Sequence, residues 1–427
     1  MKRKEHSSIA GMVVTHRRAW VWVSLLGFAR GMVVVSLMSV AMVMLKRVGL
    51  SNSWAACGTA LLAIPFVCRQ LLRPFVLALT RQAWWMVVME VLFSLSMMAV
   101  AWFVEPKGGG TAVWYCLAFS ALVGAFHDVM AGDFCNALWG SRKQGRTSLA
   151  VALPILATVL GTGVTFVIAG DMEVLTRNIV ESWALAFKVL AAMVFAVAVA
   201  MALSLPKHME CGRKKVFTAA WKEQMMEMKE WWEYPKQWLF VLFIILFSLH
   251  ECLVIKGVLL FLVDPGSIGG LSMGPQEVAF AQSTVAGMLM LAGCVMGFEL
   301  MKKKGLRKWV WPMVLAITVP DVLFLYLAYA MPSELSYVTL CLSVESFGCG
   351  FGMAGFVRYL RYYGRGRTLP AYGDSCLAIV AFSVLLAGVA TGFIQDYFGH
   401  RRFFFLVVCM AVVAIASIWL LRHKRPQ

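Results

Sequence analysis

The sequence predicts an all-α integral membrane protein of twelve transmembrane helices in two halves of six. Three observations predict it. Of 427 residues, 61% are hydrophobic and 14% charged, with a mean hydropathy of +0.77, where a soluble domain carries roughly a quarter charged residues. Twelve apolar runs are each long enough for the roughly 20 residues that cross a bilayer. Finally, Lys and Arg segregate: with both termini on one side, 29 of the 39 fall in the segments on that side and 6 on the other. That basic side is expected to be cytoplasmic.

The elements follow in order. The tail 1–19 is basic and lacks an apolar run ending at a small-residue cleavage site, so it reads as a retained cytoplasmic segment. Apolar runs at 20–44, 53–72, 83–104, 112–132, 148–170 and 182–204 make the N-terminal bundle, 20–204. The next connection, 205–237, is the longest and divides the chain. Runs at 238–262, 276–299, 308–331, 336–357, 374–395 and 402–422 make the C-terminal bundle, 238–422, and 423–427 is a cytoplasmic tail. Within the linker, Phe217, Trp221, Met225, Met228 and Trp232 recur at helical spacing with Lys and Glu on the other faces, which predicts an amphipathic helix lying along the inner membrane surface. Pro235 ends it.

The net charge of +17 is thereby a topology signal, and a nucleic-acid partner is excluded. Eleven Cys are scattered without a CxxC pair, the usage of small hydrophobes, so neither a disulfide framework nor a metal site is expected. No cofactor is expected. The seven His are dispersed, and there is no HExxH, GxSxG or Walker pattern, which argues against an enzyme or an ATP-driven pump.

Local motifs sharpen the picture: "GFARGM" (27–32), "IPFVCRQLLRPFV" (64–76), "HDVMAGDF" (127–134), "VDPGSIGGLSMGPQEV" (263–278), "GFELMKKKGLRKWVWPM" (297–313), "VESFGCGFGMAGFVRYL" (344–360) and "GVATGFIQDYFGHRRFF" (388–404). In this order, and with the six-plus-six plan, they resemble the AmpG-type muropeptide permeases and related bacterial transporters of the major facilitator superfamily, whose two pseudo-symmetric halves are related by an axis along the membrane normal. The resemblance implies a bacterial inner-membrane, multi-pass secondary transporter, monomeric, working by alternating access. It implies proton-coupled import of a cell-wall-derived sugar-peptide. Another small solute (a sugar, peptide or organic anion) and a non-transporting sensor on the same scaffold stay open. In the superfamily's loops after helices 2 and 8 an acid usually follows the turn; here Leu77 and Met301 hold those positions, so latching at those points is not expected.

Ionisable groups in a bilayer are expensive and mark function. The resemblance puts helices 1, 4, 7 and 10 around the central cavity. Arg30, Glu251 and Glu345 lie near mid-depth on three of them, and Arg30 is expected to pair with Glu251 or Glu345, one of which takes up a proton. Lys256 is five residues from Glu251, about 140° around the helix, so it needs a partner elsewhere. Arg69, Asp128 and Asp133 are candidate gate residues. His250 reads as a satisfied or lipid-edge histidine ahead of a proton relay, Glu90 and Asp321 as structural, and the glycines of "FGCGFGMAG" as aids to gate closure and bending in helix 10.

Overall fold

In hydrocarbon every backbone polar group must find its partner within the chain, so apolar runs of this length become helices. The computed structural model describes residues 16–79, 82–105, 110–139, 146–205, 216–235, 237–363 and 370–418, and the described spans are helical. Most of the two expected tails and the 206–215 part of the linker lie outside the described residues.

The spans are α1 (Val21–Arg47), α2 (Asn52–Val67 continuing as Arg69–Ala78 after a 48° bend), α3 (Gln82–Phe103) and α4 (Thr111–Trp139). They continue as α5 (Arg146–Thr176), α6 (Ile179–Leu203), α7 (Gln237–Val263), α8 (Pro275–Lys302), α9 (Lys308–Ala330) and α10 (Leu335–Tyr363). A last helical stretch, Pro370–Ser417, has 48 residues. At about 1.5 Å per residue that is far longer than one crossing. Gly399 inside it has φ 76° and ψ 168°, a conformation that side chains resist, and it divides the stretch into α11 (370–398) and α12 (400–417). The contacts confirm a reversal. Asp374 meets Arg69 at the face where α1 begins, His400 meets Asp264 at the face where α1 ends, and Ile418 returns to a cluster with Phe240 and Tyr372. These two faces are called lower and upper below.

Local chemistry sets the helix ends. Ser51 caps α2 by accepting from the Trp54 amide, and Asn178 caps α6 by accepting from Val180 and Glu181, each satisfying orphan N–H groups. Glu277 accepts from the Gly274 amide at 2.8 Å to open α8 behind Pro275, as proline at a first turn allows.

Glycines decide which helices touch. On α1 of "GFARGM", Gly31 faces α5 so closely that an added Cβ would sit 2.6 Å from the Pro154 carbonyl oxygen. The glycine face therefore goes to α5 and leaves Arg30 turned elsewhere. On α10, Gly348 abuts the Ala316 carbonyl of α9 and Gly350 the Met290 carbonyl of α8, with would-be Cβ distances of 2.0 and 1.9 Å. These glycines build close packing within the C-terminal half, along a helix that runs unbroken from Leu335 to Tyr363.

The apolar core is distributed unevenly between the faces. On the upper side one cluster runs through both halves, joining Val33, Leu37 and Ala56 to Val258, Leu262 and Phe403. On the lower side each half has its own cluster, one around Trp22, Met130 and Phe134 and the other around Phe240, Ile244 and Ile317, and a smaller one sets Ile155 of α5 against Phe298 and Met301 of α8. The lower face is joined by that apolar contact on the α5–α8 side and by polar side chains on the α2–α11 side.

The linker helix forms as predicted, Phe217–Glu233. Phe217, Trp221 and Trp232 stay exposed, as a surface-lying helix requires. The neighbouring stripe of Ala220, Gln224 and Trp231 is buried against the chain itself, a docking that the amphipathic pattern did not foresee.

Candidate functional site

Three groups of polar side chains sit at three depths. At the lower face, Arg30 on α1 is paired with Asp128 on α4 at 2.5 Å. Arg69 on α2 bridges Asp128 at 2.7 Å and Asp374 on α11 at 2.8 Å. One helical turn further on, Arg73 meets Asp133 at 3.2 Å, Asp374 at 3.6 Å, and Gln224 and Glu227 of the linker helix at 2.9 Å each. Gln70 donates to Ser375 at 2.7 Å and accepts from Gln224. In the run "RQLLR", Arg73 neighbours Arg69 at i,i+4 and Gln70 at i,i+3, so the three line adjoining parts of one side of the helix. Arg69 and Arg73 are 3% and 4% exposed, so Arg69 is a buried bridge and does not snorkel to headgroups. Asp374 and Ser375 belong to the C-terminal half, so these bonds cross the seam between the halves.

At mid-depth, fourteen residues into α7, Glu251 accepts from the thiol of Cys349 on α10 at 2.7 Å. Glu345, one turn before Cys349, accepts from Ser346 at 3.1 Å. Donor atoms of Glu251, Glu345 and Cys349 all lie within 4.8 Å of one another and all three residues are buried. Beside them His250 and Asp321 of α9 meet at 2.8 Å, each 1% exposed. Two carboxylates and a thiol form a donor set that a divalent ion would accept, although zinc normally asks for a fourth ligand.

At the upper face, Asp264 follows the end of α7 and accepts from Lys46 of α1 at 2.6 Å, Asn52 of α2 at 2.5 Å and His400 of α12 at 2.9 Å. Its loop, "DPGSIGGLSM", folds back so that Leu271, Ser272 and Met273 donate to Phe261, Asp264 and Leu262. Burial would raise the Asp264 carboxyl. Hydrogen bonds from His400 and Lys46, the Lys46 charge and the Asn52 amide outweigh that and hold it below the usual carboxylate range. Asp396 of α11 accepts from the Ser53 amide at 2.8 Å, a further bond across the seam.

One expectation is corrected by this geometry. Arg30 does not join the mid-depth carboxylates: its ion pair is with Asp128, because the close α1–α5 crossing turns the intervening side chain toward α4. His250 faces the buried Asp321 at 2.8 Å, as a histidine satisfied by a neighbouring side chain does. Asp128 and Asp133 do take part in the lower network, and Lys256 finds a partner on another helix, donating to Thr59 Oγ1 of α2 at 2.8 Å. Glu90 is fully buried 3.6 Å from His127. Asp264, Asp374, Asp396 and His400 escaped the sequence reading. Their signal was an acid or His beside a glycine-bearing helix end, in "VDPG", "YGDS" and "QDYFGH".

No family model matches the sequence, and neither does any curated protein. Solved structures match along almost the whole chain. A proton-dependent oligopeptide transporter is 11% identical, with 96% of this chain and 100% of that one covered and a TM-score of 0.68. The E. coli xylose transporter XylE, partially occluded and inward open, is 14% identical over 95% and 99% at 0.66; it is described as a major facilitator superfamily proton:xylose symporter. The nucleoside transporter NupG is 12% identical over 94% and 99% at 0.64. At such identities the likeness concerns architecture, and with the apolar spans it makes the chain a multi-pass membrane protein with the major facilitator fold.

Proposed function

We propose that the chain is a secondary transporter that couples the uptake of a small solute to protons by alternating access, with the lower face in the cytoplasm of a bacterial inner membrane. The observation that carries this is the Glu251–Glu345 pair. Among the described residues neither carboxylate has a Lys, Arg or His nitrogen within ion-pair distance, yet their oxygens are within 4.8 Å. Two buried carboxylates this close cannot both stay ionised, so the pair is a place to hold a proton. Glu251 is the bet for the proton carrier, with Glu345 as its neighbour and His250–Asp321 supporting the same helix.

The setting supports the reading. Polar bridges cross the seam between the halves above and below the pair, at Lys46–Asp264 and Arg69–Asp374. A carrier must break one set while keeping the other, and hydrogen-bonded ion pairs are two-state elements suited to that. The lower set joins the halves on the α2–α11 side, beside the apolar α5–α8 contact, and takes the place of latches at Leu77 and Met301. We assign the two moving bundles to 20–204 and 238–422. For cargo, the motif resemblance favours a cell-wall sugar-peptide, and the structural neighbours are transporters of oligopeptide, xylose and nucleoside.

The test is uptake into proteoliposomes containing a pH-sensitive dye, with anhydro-muropeptide, N-acetylmuramate, simple sugars and dipeptides offered outside. Solute-dependent acidification that vanishes in Glu251→Gln, with the variant still monodisperse, is expected. Solute entry without acidification, or unchanged acidification in Glu251→Gln, rejects proton coupling through this pair. Absence of any flux with binding retained would favour a sensor.

A further inference from the structure

The second charge on α7 has an environment unlike that of Glu251. Lys256 is 3% exposed, and its ammonium donates to Thr59 Oγ1 at 2.8 Å. Thr59 in turn spends its own hydrogen on the Ala55 carbonyl at 2.8 Å, as a helical threonine does. An ammonium carries three donor hydrogens, and no carboxylate lies within 4 Å of this one among the described residues. A buried cation left with one neutral partner is costly.

Its position is also particular. Lys256 lies about 7–8 Å above Glu251 along the helix and faces the opposite way. Glu251 points into the C-terminal half toward Cys349, whereas Lys256 reaches across the seam to α2 of the N-terminal half. Gly388 of α11 closes the third side. A Cβ there would lie 3.2 Å from Lys256 Cε and 2.4 Å from Ala60 Cβ, so the missing side chain makes room for the lysine stem between α2 and α11. Asp264 and its partners lie about 12 Å further up the same helix axis and close the seam above. The ammonium therefore sits inside the upper closure, at the junction of the moving halves, with hydrogens unspent.

We propose that Lys256 is the docking point for an anionic group, a carboxylate, on the transported solute, with Thr59 orienting the ammonium. The proposal rests on the carrier reading above and names its substrate class. A carboxylate arriving when the upper seam opens supplies the acceptors that the ammonium lacks, and its charge compensates the lysine through the occluded state. Proton binding at Glu251 and solute binding at Lys256 are then separate events on one helix, facing different partners. Arg at this position would keep the charge but change its shape, because the guanidinium is a planar fork where the ammonium is a point.

The experiment uses the full chain in proteoliposomes and two pairs of probes that differ by a carboxylate: N-acetylmuramate against N-acetylglucosamine, and glucuronate against glucose. Uptake is measured for the wild type, Lys256→Met, Lys256→Gln, Lys256→Arg and Glu251→Gln, with monodispersity on gel filtration as the folding control. The expected result is preference for the acid member of a pair, lowered at least about tenfold in Lys256→Met and partly restored in Lys256→Arg. Equal uptake of acid and neutral members, or wild-type uptake of the acid by Lys256→Met, overturns the proposal while leaving the carrier reading in place. Uptake of neither member of either pair overturns it too. If Lys256→Met fails the folding control, Lys256→Gln decides: wild-type preference and rate for the acid in that charge-free variant overturn the proposal. Loss of proton movement in Glu251→Gln with the acid preference intact separates the two sites.

Discussion

The guanidinium of Arg73 on α2 donates to Glu227 of the linker helix at 2.9 Å, tying the segment that joins the two halves onto the N-terminal half. The same guanidinium bonds Gln224 at 2.9 Å, and Phe217 packs on Phe75 with ring centroids 4.8 Å apart. At its other end the helix buries Trp231 in the cluster of the C-terminal half. The linker helix is therefore a strap across the seam. Replacing Glu227 with Ala removes one charge-assisted bond of about 1.5 kcal/mol. Hydrogen exchange across 217–233 should then quicken roughly tenfold, while exchange in the upper parts of α1 and α7 stays unchanged. Unaltered exchange in the linker would show that the strap is held by its aromatic contacts alone.

Arg69 holds Asp128 and Asp374 together while almost wholly buried. Breaking such a pair from one side costs about 3–5 kcal/mol, because the remaining charge is stranded. Opening the lower face would rehydrate the stranded groups, so the cost falls on the closed state and not on the fold as a whole. Asp374→Asn should therefore shift the protein toward a lower-face-open state. A cysteine placed at Ser375 should become reactive to an impermeant maleimide applied from that face, and the exchange Arg69→Asp with Asp374→Arg should restore protection in part. Equal labelling of the Ser375→Cys protein with and without Asp374→Asn would rule out this latch.

Asp264 gives the upper closure a pH dependence whose sign follows from its depressed carboxyl. The contribution is complete above the ordinary carboxylate value of about 3.9 and is lost as pH falls through the lower folded-state value. Thermal stability of the purified protein should hold from neutral pH to about 4 and then drop. Asp264→Asn should cost about 3 kcal/mol at neutral pH, because it strands Lys46, and its stability should change less below pH 4. A wild-type and variant pair with parallel acid profiles would remove Asp264 from the closure.

The helices were legible because period and length are local properties of the chain, and hydrocarbon leaves few alternatives to helix. The linker helix was legible for the same reason, but its docking face was not. Glu227 belonged to the Lys- and Glu-bearing faces until Arg73 was placed beside it. Glu251, Glu345 and Lys256 stood out by their cost in an apolar run. Their partners did not, since which helix faces which is fixed by glycine contacts such as Gly31 on Pro154 and Gly388 on Ala60. That is why Arg30 was assigned to the wrong carboxylates by depth alone. Asp264 and Asp374 were hidden differently: each stands at a helix end, where an acid is ordinarily solvated, and only the packing of the other half makes it a bridge.

The mid-depth cluster can be asked whether it holds a proton or a metal. Glu251, Glu345 and Cys349 offer three donors within 4.8 Å, but Ser346 already bonds one Glu345 oxygen and the Cys349 thiol already donates to Glu251. Zinc would need that thiol deprotonated and a fourth ligand; a proton needs one lone pair. Chelator treatment should thus leave thermal stability unchanged, and micromolar zinc should not raise it. Cys349→Ser keeps a donor hydrogen toward Glu251, so it should cost about 1 kcal/mol and preserve solute-driven acidification. Glu345→Gln removes the second carboxylate, and with it the like-charge repulsion that drives proton uptake, so acidification should fall or shift in pH. Zinc stabilisation that disappears in Cys349→Ser would instead mark the cluster as a metal site, and the proton would then have to be carried elsewhere on α7 or α10.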